Sequence, residues 1–345
     1  MLALQKILPG EGLSLVDVPE PGAPGPGEVL LEIVATGICG SDLSIDRWSP
    51  SYESFMGKCL PVTLGHETAG RVIAVGPEVD HALIGRHAVI NPAVSCGKCE
   101  NCRAGDTTGC NDRQAIGMVR NGAFARYCLA PAAYCHVLPE HVPVEVGALA
   151  EPLSVGAHAL ITGGMKAGDR VIVFGPGCVG QCAAALAKHL GASEVVVVGM
   201  NDGPRFEVLR KFGIETFVDM AQPGAAETLA AIAGDGFDLA VEAAGVASVI
   251  NQALSVLRQE GVLSVAGMSE QPATIDILRI VKHRLQVRGS SRTSQAAWTL
   301  VLQALDADPQ TFRHLISHRM PLDQAEAALD LCRSREASKV LLYPT

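Results

Sequence analysis

Three short stretches far apart in the chain, Cys39-Gly40-Ser41-Asp42, Gly65-His66-Glu67 and Glu151-Pro152, offer a thiolate, an imidazole and carboxylates. A mixed set of this kind suits a catalytic zinc, which keeps one position open for water or substrate, whereas a structural zinc is closed off by four protein ligands. A second set is local. Cys96, Cys99, Cys102 and Cys110 fall within fifteen residues, separated by Gly97, Lys98, Gly105 and Gly109, so the segment can fold back around one tetrahedral Zn²⁺. Disulfides are disfavoured by a reducing compartment, and a nucleic-acid zinc ribbon by the scarcity of base, since only Lys98 and Arg103 lie between the cysteines. An iron–sulfur cluster is disfavoured because the proline-terminated ferredoxin pattern is missing. The expected role of this second metal is structural.

Gly175-Pro176-Gly177-Cys178-Val179-Gly180 is a GxGxxG. Alone it is weak, because a strand-to-helix turn needs no ligand. Here it follows the apolar run Val171 to Phe174, opens an Ala-rich helix and precedes a second strand, Val195 to Val198, which is the context of a dinucleotide site. Gly175 permits the tight turn, Gly177 lets a pyrophosphate approach the backbone, and Gly180 lets helix and strand pack closely, with Val179 beside them. The free N–H groups at the helix start favour the anion. An NAD site usually carries an acidic residue at the end of the second strand, but this strand ends Val198-Gly199-Met200-Asn201. Asn201 with Arg205 would tolerate a 2′-phosphate, which tilts the reading toward NADP; Asp202 opposes it, and Arg205 is equally a residue of a solvated helix. The cofactor is therefore read as NAD(P). Ala266-Gly267-Met268 follows another strand end and is expected to touch the same cofactor.

These motifs need scaffolds to hold them. With 345 residues, two domains are expected. Hydrophobic residues make up 48% and charged residues 18%, so core material is plentiful. The first 150 residues are β-rich (Val29 to Ala35, Thr68 to Val75, His87 to Ile90, Phe124 to Leu129) with little helical periodicity. From about Val155 strands and helices alternate, the pattern of a doubly wound parallel sheet. The tail carries amphipathic helices around Trp298 to Leu305 and Leu322 to Arg333, then a short strand, Lys339 to Tyr343, able to rejoin the first sheet. The expected class is α/β, with a catalytic domain from 1–151 and 293–345, including a zinc lobe at about 91–115, and a dinucleotide domain at 152–292. A net charge of −9 without a basic run argues against nucleic acid. No stretch is expected to reach the ~20 apolar residues of a membrane span. Met1 to Gly10 lacks the features of a signal peptide, so a cytoplasmic location is expected.

The Gly65-His66-Glu67-x2-Gly70-x5-Gly76 segment, the four-cysteine lobe and the GxGxxG, in this order along the whole chain, resemble the zinc-dependent medium-chain dehydrogenase/reductase family. Glu151-Pro152-Leu153 resembles its polyol branch, which includes sorbitol and threonine dehydrogenases. The resemblance implies a GroES-like catalytic domain beside a Rossmann domain, two zincs per chain, and Cys39 and His66 as ligands, with Glu67 and Glu151 at or next to the metal. Adjacent side chains diverge in an extended segment, so one of His66 and Glu67 would stand behind the other. Ser41 is placed like the family's hydroxyl relay, but the histidine usual three residues later is Ser44 here, leaving water or Asp42 to carry the proton outward. Gly289-Ser290-Ser291-Arg292 resembles a GxxR segment whose arginine lies near the substrate and whose backbone touches the nicotinamide; a plain surface charge is the competing reading. Tyr52, Phe55 and Met118 are candidates to line the pocket. The implied activity is hydride transfer from a secondary alcohol of a polyol, cyclitol or sugar alcohol to NAD(P), with a threonine or amino-alcohol dehydrogenase as alternative and a homotetramer or homodimer as the assembly. A zinc-free quinone reductase would not need Cys39, His66 and Glu67, and a zinc-stabilised binding protein would need only the cysteine lobe.

Overall fold

The computed structural model describes residues 1–344. It divides into two compact units, Met1–Glu151 with the chain from Leu305 onward, and Pro152–Ala304. The second junction thus falls inside the helix Gln295–Ala307 rather than at 292/293.

In the first unit the spine is the strand Glu28–Gly37, whose alternate residues Val29, Leu31, Ile33 and Ala35 are buried while Glu28, Leu30, Glu32 and Val34 between them are only partly so; its end, Thr36 and Gly37, is buried as well. It pairs antiparallel with Glu67–Val75, Tyr127–Pro131 and the late strand Lys339–Tyr343, which returns to this sheet as expected. His87–Ile90 and Cys135–Val137 extend one side and Ile316–Pro321 the other. The register places Glu67 opposite Gly37, and Leu341 opposite Gly37 on the other flank. A small three-stranded sheet (Ser14–Asp17, Leu2–Lys6, Val62–Thr63) and a short ribbon, Ala93–Val94 with Gln114–Ala115, complete the β structure.

Two helices stand where little helical periodicity is visible, Gly40–Asp46 and Pro50–Met56. Each is seven residues long, too short for a 3.6-residue repeat to show, and each is set by its start. Asp42 accepts the Cys39 N–H at 2.9 Å, and Pro50 occupies a first-turn position where no N–H is needed.

The second unit is a six-stranded parallel sheet in the order Thr216–Asp219, Glu194–Gly199, Arg170–Phe174, Phe237–Glu242, Leu257–Val265, Gln286–Gly289. Numbered along the chain this is 3-2-1-4-5-6, the doubly wound arrangement. Its central strands read as apolar runs because helices cover both faces, with Val171, Ile172, Val173, Val196, Val197 and Ala240 fully buried.

One stretch corrects the expectation about apolar length. Val144–Gly163 spans 20 residues at mean hydropathy 1.2, long and apolar enough to cross a membrane, but 67% of its window is buried within the protein. It carries Glu145 and Glu151, which fits core material better than a lipid-facing span.

Candidate active site and metal centres

The first cluster is built around a helix start. Cys39 caps Gly40–Asp46, so its side chain leaves the chain just where strand Glu28–Gly37 ends. Glu67 opens the neighbouring strand with His66 just before it, and the ligand atoms of Cys39, His66 and Glu67 all lie within 4.8 Å of one another. Asp42, whose Oδ2 takes the Cys39 N–H, turns Oδ1 toward His66 Nδ1 at 3.7 Å. Ser41 Oγ is 3.3 Å from the other ring nitrogen, Nε2. One tripeptide after the capping cysteine therefore addresses both sides of the imidazole.

Glu67 is held from behind. Lys339 Nζ donates to both carboxylate oxygens, at 2.8 and 2.5 Å, and to the Ile38 carbonyl at 2.8 Å, with both side chains 1% exposed. The bridge crosses Gly37: a Cβ there would fall 2.1 Å from Glu67 Oε2 and 3.1 Å from Lys339 Cδ. Glu151, at the start of a helix, is not within the tight three-residue group, but its charge is felt there. Burial, with Glu67 and Asp42 adding to it against His66 and Lys339, pushes its carboxyl up to about 7.

The remaining electrostatics describe a pocket with more acidic groups than basic ones. Burial pushes the Asp42 carboxyl up to about 6. Burial, then the Glu67 charge, raises the Cys39 thiol. Burial opposes a charged His66 ring, yet Asp42, Cys39 and Glu151 together hold it well above the ordinary imidazole value. Three carboxyls and a thiol face one lysine and one imidazole, and Asp42 Oδ1 and His66 Nδ1 have no hydrogen-bond partner. A divalent cation among Cys39, His66 and Glu67 would expel the thiol proton, offset the surplus and leave His66 oriented by Asp42, and sulfur, nitrogen and oxygen donors together suit zinc. The residues fit the metal.

Tyr52, on the second short helix, hydrogen-bonds the Ser41 side chain, and burial together with the Cys39 and Asp42 charges raises its hydroxyl pKa. Ser44 Oγ instead donates to the Gly40 carbonyl. The sequence alone offers Asp42 only as a proton carrier, and Lys339 only as the start of a strand. Their signals were an acid three residues after the capping cysteine and a lysine opening an otherwise apolar strand, Lys339-Val340-Leu341-Leu342-Tyr343.

Cys96, Cys99, Cys102 and Cys110 form the second group, again with all sulfurs within 4.8 Å. Cys96 and Cys102 sulfurs are 4.0 Å apart, close to the ~3.8 Å edge of a tetrahedron with zinc–sulfur bonds of about 2.3 Å. Backbone N–H groups point at the sulfurs: Cys96 at Cys110, Cys99 at Cys96, Cys102 at Cys99. N–H groups of Asn111 and Cys102 bring the Cys99 thiol down to about 6, so the fold already favours thiolate there. None of the cysteines is in a disulfide.

In the second unit the glycine-rich loop has the geometry its residues imply. Gly175 has φ +91°, and a Cβ there would meet Ala244 at 2.6 Å; one on Gly180 would lie 1.9 Å from the Gly175 carbonyl oxygen. Gly177 caps the helix Cys178–His189 and has nothing within 4 Å of its Cβ position, an open approach to the helix N-terminus. Glu242, missed in the sequence, ends its strand by accepting the N–H groups of Ala244 and Gly245 at 2.8 Å, while its backbone carbonyl takes those of Ala266 and Gly267. It thereby pins the Ala266-Gly267-Met268 turn, where Met268 is 78% exposed. Ser290 N–H bonds the Val265 carbonyl at 2.7 Å; Ser291 and Arg292 follow, both exposed, with Arg292 at φ +66°.

Known proteins resemble this chain over nearly its whole length. The family described as alcohol dehydrogenase GroES-like domain matches residues 25–140, and that described as zinc-binding dehydrogenase matches 178–307. The chain is 33% identical to an L-threonine 3-dehydrogenase of Saccharopolyspora erythraea, over 99% of this chain and 98% of the relative. Among solved structures it is similar to galactitol-1-phosphate dehydrogenase from Escherichia coli (TM-score 0.88, 27% identity, 100% of both chains). It is also similar to a zinc-binding dehydrogenase from Sinorhizobium meliloti bound to NADP (TM-score 0.85, 28% identity, 99% of both chains). With a GroES-like first unit and a Rossmann-type second, the chain belongs to the zinc-dependent medium-chain dehydrogenase/reductase family of alcohol-oxidising enzymes.

Proposed function

We propose that Cys39, His66 and Glu67 hold a catalytic zinc, with Glu151 beside it, and that this centre oxidises a secondary alcohol of a polyol, cyclitol or sugar alcohol. The convergence of the three ligand groups within 4.8 Å carries the reading. Bound zinc supplies Lewis acidity toward an alcohol oxygen, and a bound nicotinamide supplies the hydride acceptor. The chain's own residues manage the proton. Ser41 Oγ, beside His66, would relay it, accepting the proton of the substrate hydroxyl while passing its own to water or Asp42. Asp42 fixes the imidazole, and Lys339 fixes the Glu67 carboxylate, so neither donor has to reorganise during turnover. Cys96, Cys99, Cys102 and Cys110 take a second, structural zinc.

Gly175, Gly177, Val179 and Gly180 receive the dinucleotide pyrophosphate, Asn201 and Arg205 stand at its adenosine end, and Ala266, Gly267, Met268, Ser290 and Ser291 line its nicotinamide half, with Arg292 close to substrate. The threonine dehydrogenase relative favours an amino alcohol as second reading. A panel of polyols, cyclitols and amino alcohols, followed by reduced-cofactor absorbance with and without chelator, separates the two; no turnover of any member overturns both. We place the enzyme in the cytoplasm as a homotetramer or homodimer. Support for self-association is an apolar margin on the second unit, where Ile277, Leu278, Val281 and Val287 are exposed beside the edge strand Gln286–Gly289. Light scattering tests it.

A further inference from the structure

The strand Glu194–Gly199 is followed by Met200, where an NAD site usually has an acid. The fold returns one from further along. Asn201 takes φ +57°, and the reversal folds Asp202 back over the strand end, where its Oδ2 accepts the Met200 N–H at 2.9 Å. A Cβ on Gly199 would lie 2.8 Å from that Oδ2 and 2.9 Å from Pro176 of the glycine-rich loop, so the carboxylate and the loop both close on the same glycine.

Arg205, the residue the sequence offers to a 2′-phosphate, is already engaged. Its Nη1 donates to Asp202 Oδ1 at 3.0 Å, with side chains 14% and 6% exposed. A second carboxylate closes the other side: Asp219, at the end of the next strand, accepts the N–H groups of Asn201 and Ala221, which hold it below the usual carboxylate range. The turn at 199–202 is thus flanked by Asp202, Asp219 and Arg205, two carboxylates and one guanidinium. A dianionic phosphate would meet net negative charge there, whereas a ribose diol offers hydroxyl donors to carboxylate acceptors.

We propose that Asp202, with Arg205 as its counter-ion, makes this chain select NAD(H) over NADP(H), although a structural neighbour carries NADP. The inference rests on the dinucleotide reading above and reverses the tilt that Asn201 and Arg205 give from sequence alone.

The test is equilibrium binding to the zinc-loaded protein, with NADH and NADPH followed by fluorescence and 5′-AMP and 2′,5′-ADP by calorimetry. The wild-type chain binds the unphosphorylated member of each pair at least about tenfold tighter. Asp202→Asn narrows that ratio by roughly tenfold as Arg205 turns to the phosphate, and Arg205→Ala widens it. Equal or tighter binding of the phosphorylated members by the wild-type chain overturns the inference, as does an unchanged ratio in a folded Asp202→Asn protein. Binding of none of the four nucleotides would instead sink the dinucleotide reading, and this inference with it.

Discussion

The two cysteine-bearing groups of the first unit contrast in how they are put together. The four-cysteine lobe draws its sulfurs from fifteen consecutive residues and orients them with its own backbone N–H groups, so it needs little beyond a short ribbon to frame it. The Cys39, His66 and Glu67 group depends on two strands, a helix cap and a lysine 272 residues from its partner. A local site can close around metal on four donors. A site assembled from distant elements keeps donors, counter-charges and a proton acceptor separate, which is what catalysis at an open metal position requires.

Removing one donor from each group tests this contrast most severely. Cys39→Ser should lose one of two zincs by elemental analysis and lower kcat/KM on the order of 1000-fold with an unchanged melting temperature, while Cys99→Ser should lose the other zinc and chiefly lower thermal stability. Equal effects of both would erase the division of labour. Next in size, Lys339→Met strands the buried Glu67 carboxylate and should cost about 3–5 kcal/mol in denaturant unfolding, with Glu67→Gln added in the same chain recovering part of it. Ser41→Ala should reduce kcat by roughly 100-fold and Ser44→Ala by less than about twofold, because only Ser41 lies beside His66. Asp42→Asn should weaken zinc at the buried group by about 10–100-fold in competition with a chelator and leave the lobe untouched.

The smallest effect lies outside both groups. Arg319, despite some burial, with Tyr343 and Arg313, holds the Glu145 carboxyl down to about 2. Because the folded value lies below the ordinary 4.5, this stability is complete above that value and is lost as pH falls toward about 2. Glu145→Gln should flatten the acid limb of a melting-temperature profile across that window.

The same contrast explains what could be read from residues alone. The glycine-rich loop and the cysteine lobe were legible because each is contiguous and its spacing is its geometry. Cys39 and His66 were legible through the resemblance that their motifs carry. Lys339 behind Glu67 was not, since it depends on strand register between the two ends of the chain. The return of Asp202 to its strand end depends on one left-handed residue, Asn201, which spacing does not reveal. The two seven-residue helices near the centre were hidden by their brevity.

Gly37 ties these threads together. Only a hydrogen atom separates its backbone from the charged bridge passing over it, so the sheet admits that bridge in a single alignment. A slip by one position would bring Thr36 to the crossing and block the passage with a branched side chain. Correct strand pairing and a correctly seated glutamate are in this way one event, and a mispaired chain would lack a competent centre from the outset.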